Sequence, residues 1–168
     1  MKSKAELRTE LKAARAGMSV AEVVEKSRLI IGGVQTILNN LNLSSLHCYE
    51  PIAKLHEVDV SELFDMPDVA LYSSRELGGE WHIVFVIDDI AKPEPRLDVI
   101  IVPMLGFDKN LQRVGYGGGY YDQLLAKYPK ALKIGVCYEQ GRVVAIPSEP
   151  HDIPLNIIVT EETASIAV

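Results

Sequence analysis

Apolar and polar positions alternate along this chain with two different periods. Residues 4–16 repeat with helical spacing: Leu7, Leu11 and Ala14 form an apolar stripe, and Lys4, Arg8, Lys12 and Arg15 share the opposite side. Ser19-Val-Ala-Glu22 has the form of a capping box, in which serine and glutamate each satisfy a free backbone N–H. It opens a second helix to about Leu38, with Val23, Ser27, Ile30, Val34, Ile37 and Leu38 as its inner face. Beyond the polar break at 39–45 the apolar runs become short and β-branched. Strands are expected at 46–49, 69–72, 81–87, 99–102, 132–138 and 157–160. Gly78-Gly79 supplies a turn between the second and third, and a short helix ends near Phe64. Residues 88–96, with Pro93 and Pro95, read as a loop; 141–148 read as a loop or short strand. Strands alternating with helices predict an α/β fold with a mostly parallel sheet between helices, in one domain over residues 1–168.

The most informative stretch is 98–122, DVIIVPMLGFDKNLQRVGYGGGYYD. A buried strand at 99–102 closes on Pro103, and a polar loop follows at 106–113. Next come Gly115, Gly117, Gly118 and Gly119, then Tyr120, Tyr121 and Asp122. After Asp122, Leu124, Leu125 and Tyr128 fall on one helical face, and Pro129 stops that helix. The glycines therefore stand between a strand and a helix start, where α/β sheets bind ligands and free N–H groups hold anions. Glycines let the backbone curl into a nest for phosphate oxygens. Arg113 offers forked donors for phosphate, and Asp122 a hard oxygen for magnesium. Tyr120 stands where the dinucleotide fingerprint requires its third glycine, and no Gly-Lys-Ser/Thr is present. Spacing alone thus gives a phosphate or nucleotide loop of unassigned type.

A length of 168 residues can bury a full core, and a net charge of −6 argues against a general nucleic-acid binder. No apolar run reaches membrane-spanning length, and the charged first 15 residues do not form a secretory signal. Cys48 and Cys137 sit in separate apolar runs and read as reduced, buried thiols of a cytoplasmic protein. No zinc-type spacing or Ser/His/Asp set is present. Periodicity alone reads the basic face of the first helix as solvated, with Lys12 and Arg15 as surface charges. Glu57 reads as a helix-start charge, His151 as a structural histidine, and Trp81 as either pocket lining or packing.

The core RVGYGGGYYD, Arg113 to Asp122, resembles the signature of 5-formyltetrahydrofolate cyclo-ligases, the methenyltetrahydrofolate synthetases. The N-terminal KAELR and, more loosely, CYEPIAKLHEVDV and EPHDIPLNIIVT extend the resemblance over most of the chain. It implies a three-layer α/β single domain and ATP- and magnesium-dependent closure of 5-formyltetrahydrofolate to 5,10-methenyltetrahydrofolate. By resemblance, ATP contacts fall on Lys4, Arg8, Arg113, Val114, Gly115, Tyr116, Gly117, Gly118, Gly119, Tyr120 and Tyr121, with Arg8 and Arg113 catalytic. Substrate contacts fall on Glu50, Glu57 and residues 116–120, and metal ligands on Asp122 and Asp152. The implied partners are small molecules only, with no nucleic acid or membrane, and the implied state is a monomer or weak homodimer. Some members carry basic residues where this chain has Tyr116 and Gly118, a glycine where it has Met104, and a longer segment at 88–96. Two alternatives remain open on this sequence: another ATP-dependent enzyme on the same scaffold, and a non-catalytic nucleotide- or folate-binding module.

Overall fold

A computed structural model describes residues 2–92 and 94–166; Pro93 of the expected 88–96 loop lies outside the described residues. In chain order the elements begin with helices α1 (Lys4–Ala16) and α2 (Val20–Asn39) and strand β1 (Ser45–His47). Strands β2 (Ala70–Leu77), β3 (Glu80–Phe85), β4 (Ile90–Ala91) and β5 (Val99–Pro103) come next. A small hairpin, β6 (Gly106–Phe107) and β7 (Arg113–Val114), precedes α3 (Tyr120–Lys127). The chain ends with β8 (Leu132–Val136), β9 (Ile157–Val159) and β10 (Ala164–Ile166).

The main sheet has the order β10-β9-β8-β5-β1-β2-β3-β4. The five strands from β9 to β2 are mutually parallel, and β10, β3 and β4 add antiparallel edges. Alternation along β5 sorts the core into layers. Val99 and Ile101 join the cluster containing Ile30, Ile31, Val34 and Leu38 of α2. Ile100 and Val102 join the one containing Leu124 and Leu125 of α3. This is the three-layer α/β arrangement that the alternating pattern predicts, because a central parallel strand must bury both faces. Leu7 and Leu11 pack α1 against Leu105 and Val114, so α1 sits over the hairpin and the glycine loop.

Three details differ from the expectation. Residues 106–113 are no open loop: Phe107, Asp108 and Leu111 are buried in the hairpin. Asp108 makes this possible by accepting from the Asn110, Gln112 and Ile146 N–H groups, which answers the backbone demand that burial creates. The 88–96 segment contains β4, and the chain adds β10 after a tight turn at Thr160 and Thr163. Cys48 and Cys137 are buried and unpaired. Among the described residues no helix is long and apolar enough to cross a membrane.

Asp98 ties the start of β5 to the start of β1. Its Oδ2 accepts from the Ser44 N–H at 2.7 Å and the Ser45 N–H at 3.2 Å, while the Ser45 hydroxyl accepts from the Asp98 N–H at 3.0 Å. The Ser44 N–H foremost, helped by Arg96 and Ser45 and opposed by burial, holds the Asp98 carboxyl below the usual carboxylate range. A lowered folded-state pKa stabilises the protein above the unfolded value, and that stabilisation is lost as pH falls through the folded value. Asp98→Asn should therefore cost about 1–2 kcal/mol at neutral pH, a difference that shrinks once pH falls below the unfolded aspartate value of about 3.9. Urea unfolding across this pH range reads the effect.

Two glycines should respond oppositely to a methyl group. At Gly106 a Cβ would stand 2.5 Å from the Gly141 carbonyl oxygen and 2.6 Å from Leu11 Cδ1, so Gly106→Ala should destabilise by about 1–3 kcal/mol. Gly32 is exposed in α2 with nothing within 4 Å of its Cβ direction, so Gly32→Ala should stabilise by about 1 kcal/mol. Denaturant midpoints of the two variants test both signs.

Candidate active site

The parallel strands point their C-terminal ends at one cavity of about 770 Å³. Tyr49 and Glu50 after β1, Ser74, Arg75 and Glu76 of β2, and Pro103 of β5 form its floor and one side. The glycine loop and α1 close the other side. Ser3 caps α1 and exchanges hydrogen bonds with Glu6 in a full capping box, so Lys4 is the first helical residue and Arg8 follows one turn later.

Both side chains line the cavity, and Arg8 meets the loop. Arg8 Nε donates to the Gly115 carbonyl at 2.9 Å. The guanidinium then lies so close to Gly117 that a Cβ there would meet Arg8 Cζ at 3.2 Å, and Gly117 has φ +100°. Glycine is required at 117 both for the turn and for the approach. Gly119, at φ +70°, turns the chain into α3. Arg113 enters from β7 with a buried guanidinium; its Nη1 donates to the Ile153 carbonyl at 2.5 Å and its Nη2 to Asp122. Burial pushes the Arg113 pKa down, and Asp122 and Asp152 push it back up. Lys4 Nζ contacts the two Asp152 oxygens at 2.5 and 2.6 Å. Burial raises the Asp152 carboxyl, but the Lys4 contact and the Glu149 N–H outweigh it and leave the group below the usual range.

The wall opposite the cations is aromatic. Trp81 of β3 packs on Tyr120 with ring centroids 5.0 Å apart and a 36° tilt, and remains 54% exposed. The Tyr120 hydroxyl meets Ser74 Oγ, which in turn lies 2.8 Å from Nε2 of the fully buried His47. Burial lowers the His47 pKa to about 4, so the ring is neutral at pH 7. Glu57 is buried, and its Oε2 accepts from the Ile52 N–H at 2.7 Å. Burial raises its pKa, against the opposing pull of the Ile52 N–H, Tyr116 and Arg15. Glu50 is ion-paired with Arg75, whose Nε lies 3.4 Å from Asp89.

Of the positions singled out in the sequence, Lys4, Arg8, Glu50, Glu57, Arg113, Gly115, Tyr116, Gly117, Gly118, Gly119, Tyr120, Tyr121, Asp122 and Asp152 all line this cavity. Val114 does not: its side chain is buried against Leu7, Leu11 and Leu105, and its carbonyl accepts from the Leu105 N–H. Arg15, expected as a surface charge, is 4% exposed; it donates to the Tyr116 hydroxyl and the Met104 carbonyl. Arg15 stands four residues after Leu11 and eight after Leu7, so helical geometry puts it on the buried face of α1 and not on the side that its charge suggested. His151, expected as a structural histidine, is exposed, with Nε2 3.3 Å from Glu149.

Asp122, His151 and Asp152 each bring one donor atom into a group within 4.8 Å. Two converging carboxylates fit a hard cation such as Mg²⁺, which keeps several of its own waters. The imidazole adds a donor that magnesium does not favour.

The model of the 5-formyltetrahydrofolate cyclo-ligase family matches residues 81–161. The 5-formyltetrahydrofolate cyclo-ligase of Escherichia coli (strain K12) is 41% identical over 70 residues, 40% of this chain and 38% of that protein. The one from Haemophilus influenzae is 35% identical over 92 residues, 54% of this chain and 48% of that protein. The chain thus spans less than half of the length of each of these curated relatives. Two solved structures match almost throughout. The Aquifex aeolicus 5,10-methenyltetrahydrofolate synthetase has a TM-score of 0.80 at 29% identity, covering 97% of this chain and 92% of that one. The Mycoplasma pneumoniae 5,10-methenyltetrahydrofolate synthetase has a TM-score of 0.83 at 22% identity, covering 95% and 99%, a likeness of fold. The resemblance carried by the loop from Arg113 to Asp122 is shown: over residues 81–161 the chain matches the 5-formyltetrahydrofolate cyclo-ligase family, and its fold is like that of the methenyltetrahydrofolate synthetases.

Proposed function

We propose that this protein converts 5-formyltetrahydrofolate and ATP to 5,10-methenyltetrahydrofolate, ADP and phosphate, as a cytoplasmic enzyme acting on small molecules. One observation carries the reading. The glycine loop gathers three cations (Lys4, Arg8 and Arg113), two carboxylates and an aromatic wall around one cavity. The names of the relatives support the substrate and the reaction.

The formyl oxygen of an amide is a poor leaving group. In the proposed reaction it attacks the γ-phosphorus of ATP, and ADP departs. The N10 lone pair then adds to the activated carbon, N10 loses its proton, and phosphate leaves with the former formyl oxygen. Such chemistry needs positioning and charge neutralisation rather than a protein nucleophile. Lys4, Arg8 and Arg113 would neutralise phosphate oxygens, and the N–H groups of the loop from Gly115 to Gly119 would cradle them. Asp122 and Asp152 would hold Mg²⁺, which supplies further charge neutralisation at the phosphates. Lys4 and Arg113 already hold these carboxylates in place. Tyr116 and Tyr120 would contact the folate, with Glu50 and Glu57 as polar partners, and Tyr120 and Trp81 would offer it ring faces.

The test is direct. Purified protein with 5-formyltetrahydrofolate and Mg-ATP should give a near-ultraviolet rise from the methenyl product, absent without ATP. Asp122→Asn keeps the side-chain shape but weakens the grip on both Arg113 and a cation, so kcat should fall by about 10²–10³. An unchanged rate in the folded variant would remove Asp122 from the site. Gly117→Ala meets both the positive φ and the Arg8 guanidinium, and should raise KM for ATP about tenfold while destabilising the fold by about 1–3 kcal/mol. Initial rates at varied ATP read this outcome.

A further inference from the structure

Arg15 lies near the end of α1 with its charge buried. A buried guanidinium needs its donors aimed at acceptors. Its Nη2 donates to the Met104 carbonyl at 2.5 Å, its Nη1 donates to the Tyr116 hydroxyl at 3.0 Å, and its Cζ sits 5.5 Å from the Tyr138 ring centroid. The first and third contacts are ordinary packing at a helix end. The second has a directional consequence. A phenol has one hydrogen, and Arg15 donates to its oxygen, so the Tyr116 hydrogen is free for another partner. The Glu57 side chain lines the same cavity and interacts with that of Tyr116. Glu57 is held from its other side by the Ile52 N–H. Tyr116 and Glu57 line the cavity, whereas Arg15 stands behind them.

We propose that Arg15 is a positioning residue: from behind the cavity wall it fixes the direction of the Tyr116 hydroxyl, so that Glu57 is presented as a charged acceptor for an N–H group of the substrate. The assignment of that substrate rests on the folate reading above, since a reduced pterin carries several N–H donors for such an acceptor. The groups facing Glu57 are Arg15 from α1, Tyr116 from the glycine loop, Tyr49 from the end of β1, Tyr121 from α3 and the Ile52 N–H. His56, beside Glu57 in the chain, has Nδ1 3.1 Å from the Arg15 carbonyl. Burial raises the Glu57 pKa, and Arg15 and Tyr116 oppose it. Their removal therefore shifts Glu57 protonation to higher pH, and the acid limb of kcat/KM for the folate moves up with it.

The experiment uses the full chain with ¹³C-labelled glutamate and follows the Glu57 carboxyl by NMR titration. Arg15→Gln and Tyr116→Phe should each raise its midpoint by about one unit. The double variant should move it no further than Arg15→Gln alone. In kinetics both variants should raise KM for the folate about tenfold while KM for ATP stays within about twofold. If Arg15→Gln does not fold, Tyr116→Phe, which keeps the ring, decides the question. An unmoved Glu57 midpoint in folded Tyr116→Phe overturns the proposal. So does an equal rise in both KM values, the sign of a merely loosened α1. Absence of turnover in the parent protein would instead count against the folate reading, and the carboxyl titration would still decide the role of Arg15.

Discussion

A buried guanidinium destabilises a fold unless its donors are taken up, and Arg113 meets that demand by joining three segments of the chain. It starts on β7, donates to the Ile153 carbonyl before β9, and pairs with Asp122 in the first turn of α3. The glycine loop is the chain between Arg113 and Asp122, so this contact closes the loop and sets its span. The pairing of Asp152 with Lys4 then draws α1 to the same point. Loop, helix and C-terminal segment thus converge through two charge pairs, with the nonpolar layers of β5 behind them.

These pairs also bear on the proposed chemistry. Each places a carboxylate suited to a divalent cation beside a cation suited to a phosphate. A nucleotide bound with its metal would meet both partners of each pair, so the charges that hold the site together are those that would recognise the ligand. The aromatic wall is built differently. Tyr120 is fixed through Ser74 to the neutral, buried His47, and Trp81 stands over it largely exposed.

The layered fold was readable in the sequence because β5 and β8 are short apolar runs, too short for helices, on either side of the helical period of α3. The capping box at Ser19 marked the start of α2 to the residue. The loop was readable because its glycines stand between a strand and a helix start. What could not be read was long-range. Arg15 shares a helical face with Leu7 and Leu11, yet its charge reads as solvated until the Tyr116 hydroxyl and Met104 carbonyl that take up its donors are seen. The polar residues of 106–113 look like an open loop until Asp108 is seen to satisfy their N–H groups from within. Val114 belongs to the signature by position, yet strand alternation turns its side chain into the core. His47 reads as part of a strand, and nothing local links it to Tyr120.

The central claim is that the formyl oxygen itself takes the phosphoryl group within this cavity. It is tested most directly with 5-formyltetrahydrofolate carrying ¹⁸O in the formyl group, unlabelled ATP and water, and mass analysis of the released phosphate. The account predicts one ¹⁸O in each phosphate, formed in step with the methenyl product. Unlabelled phosphate would contradict it, and would mean that ATP is cleaved by water while the ring closes by another route.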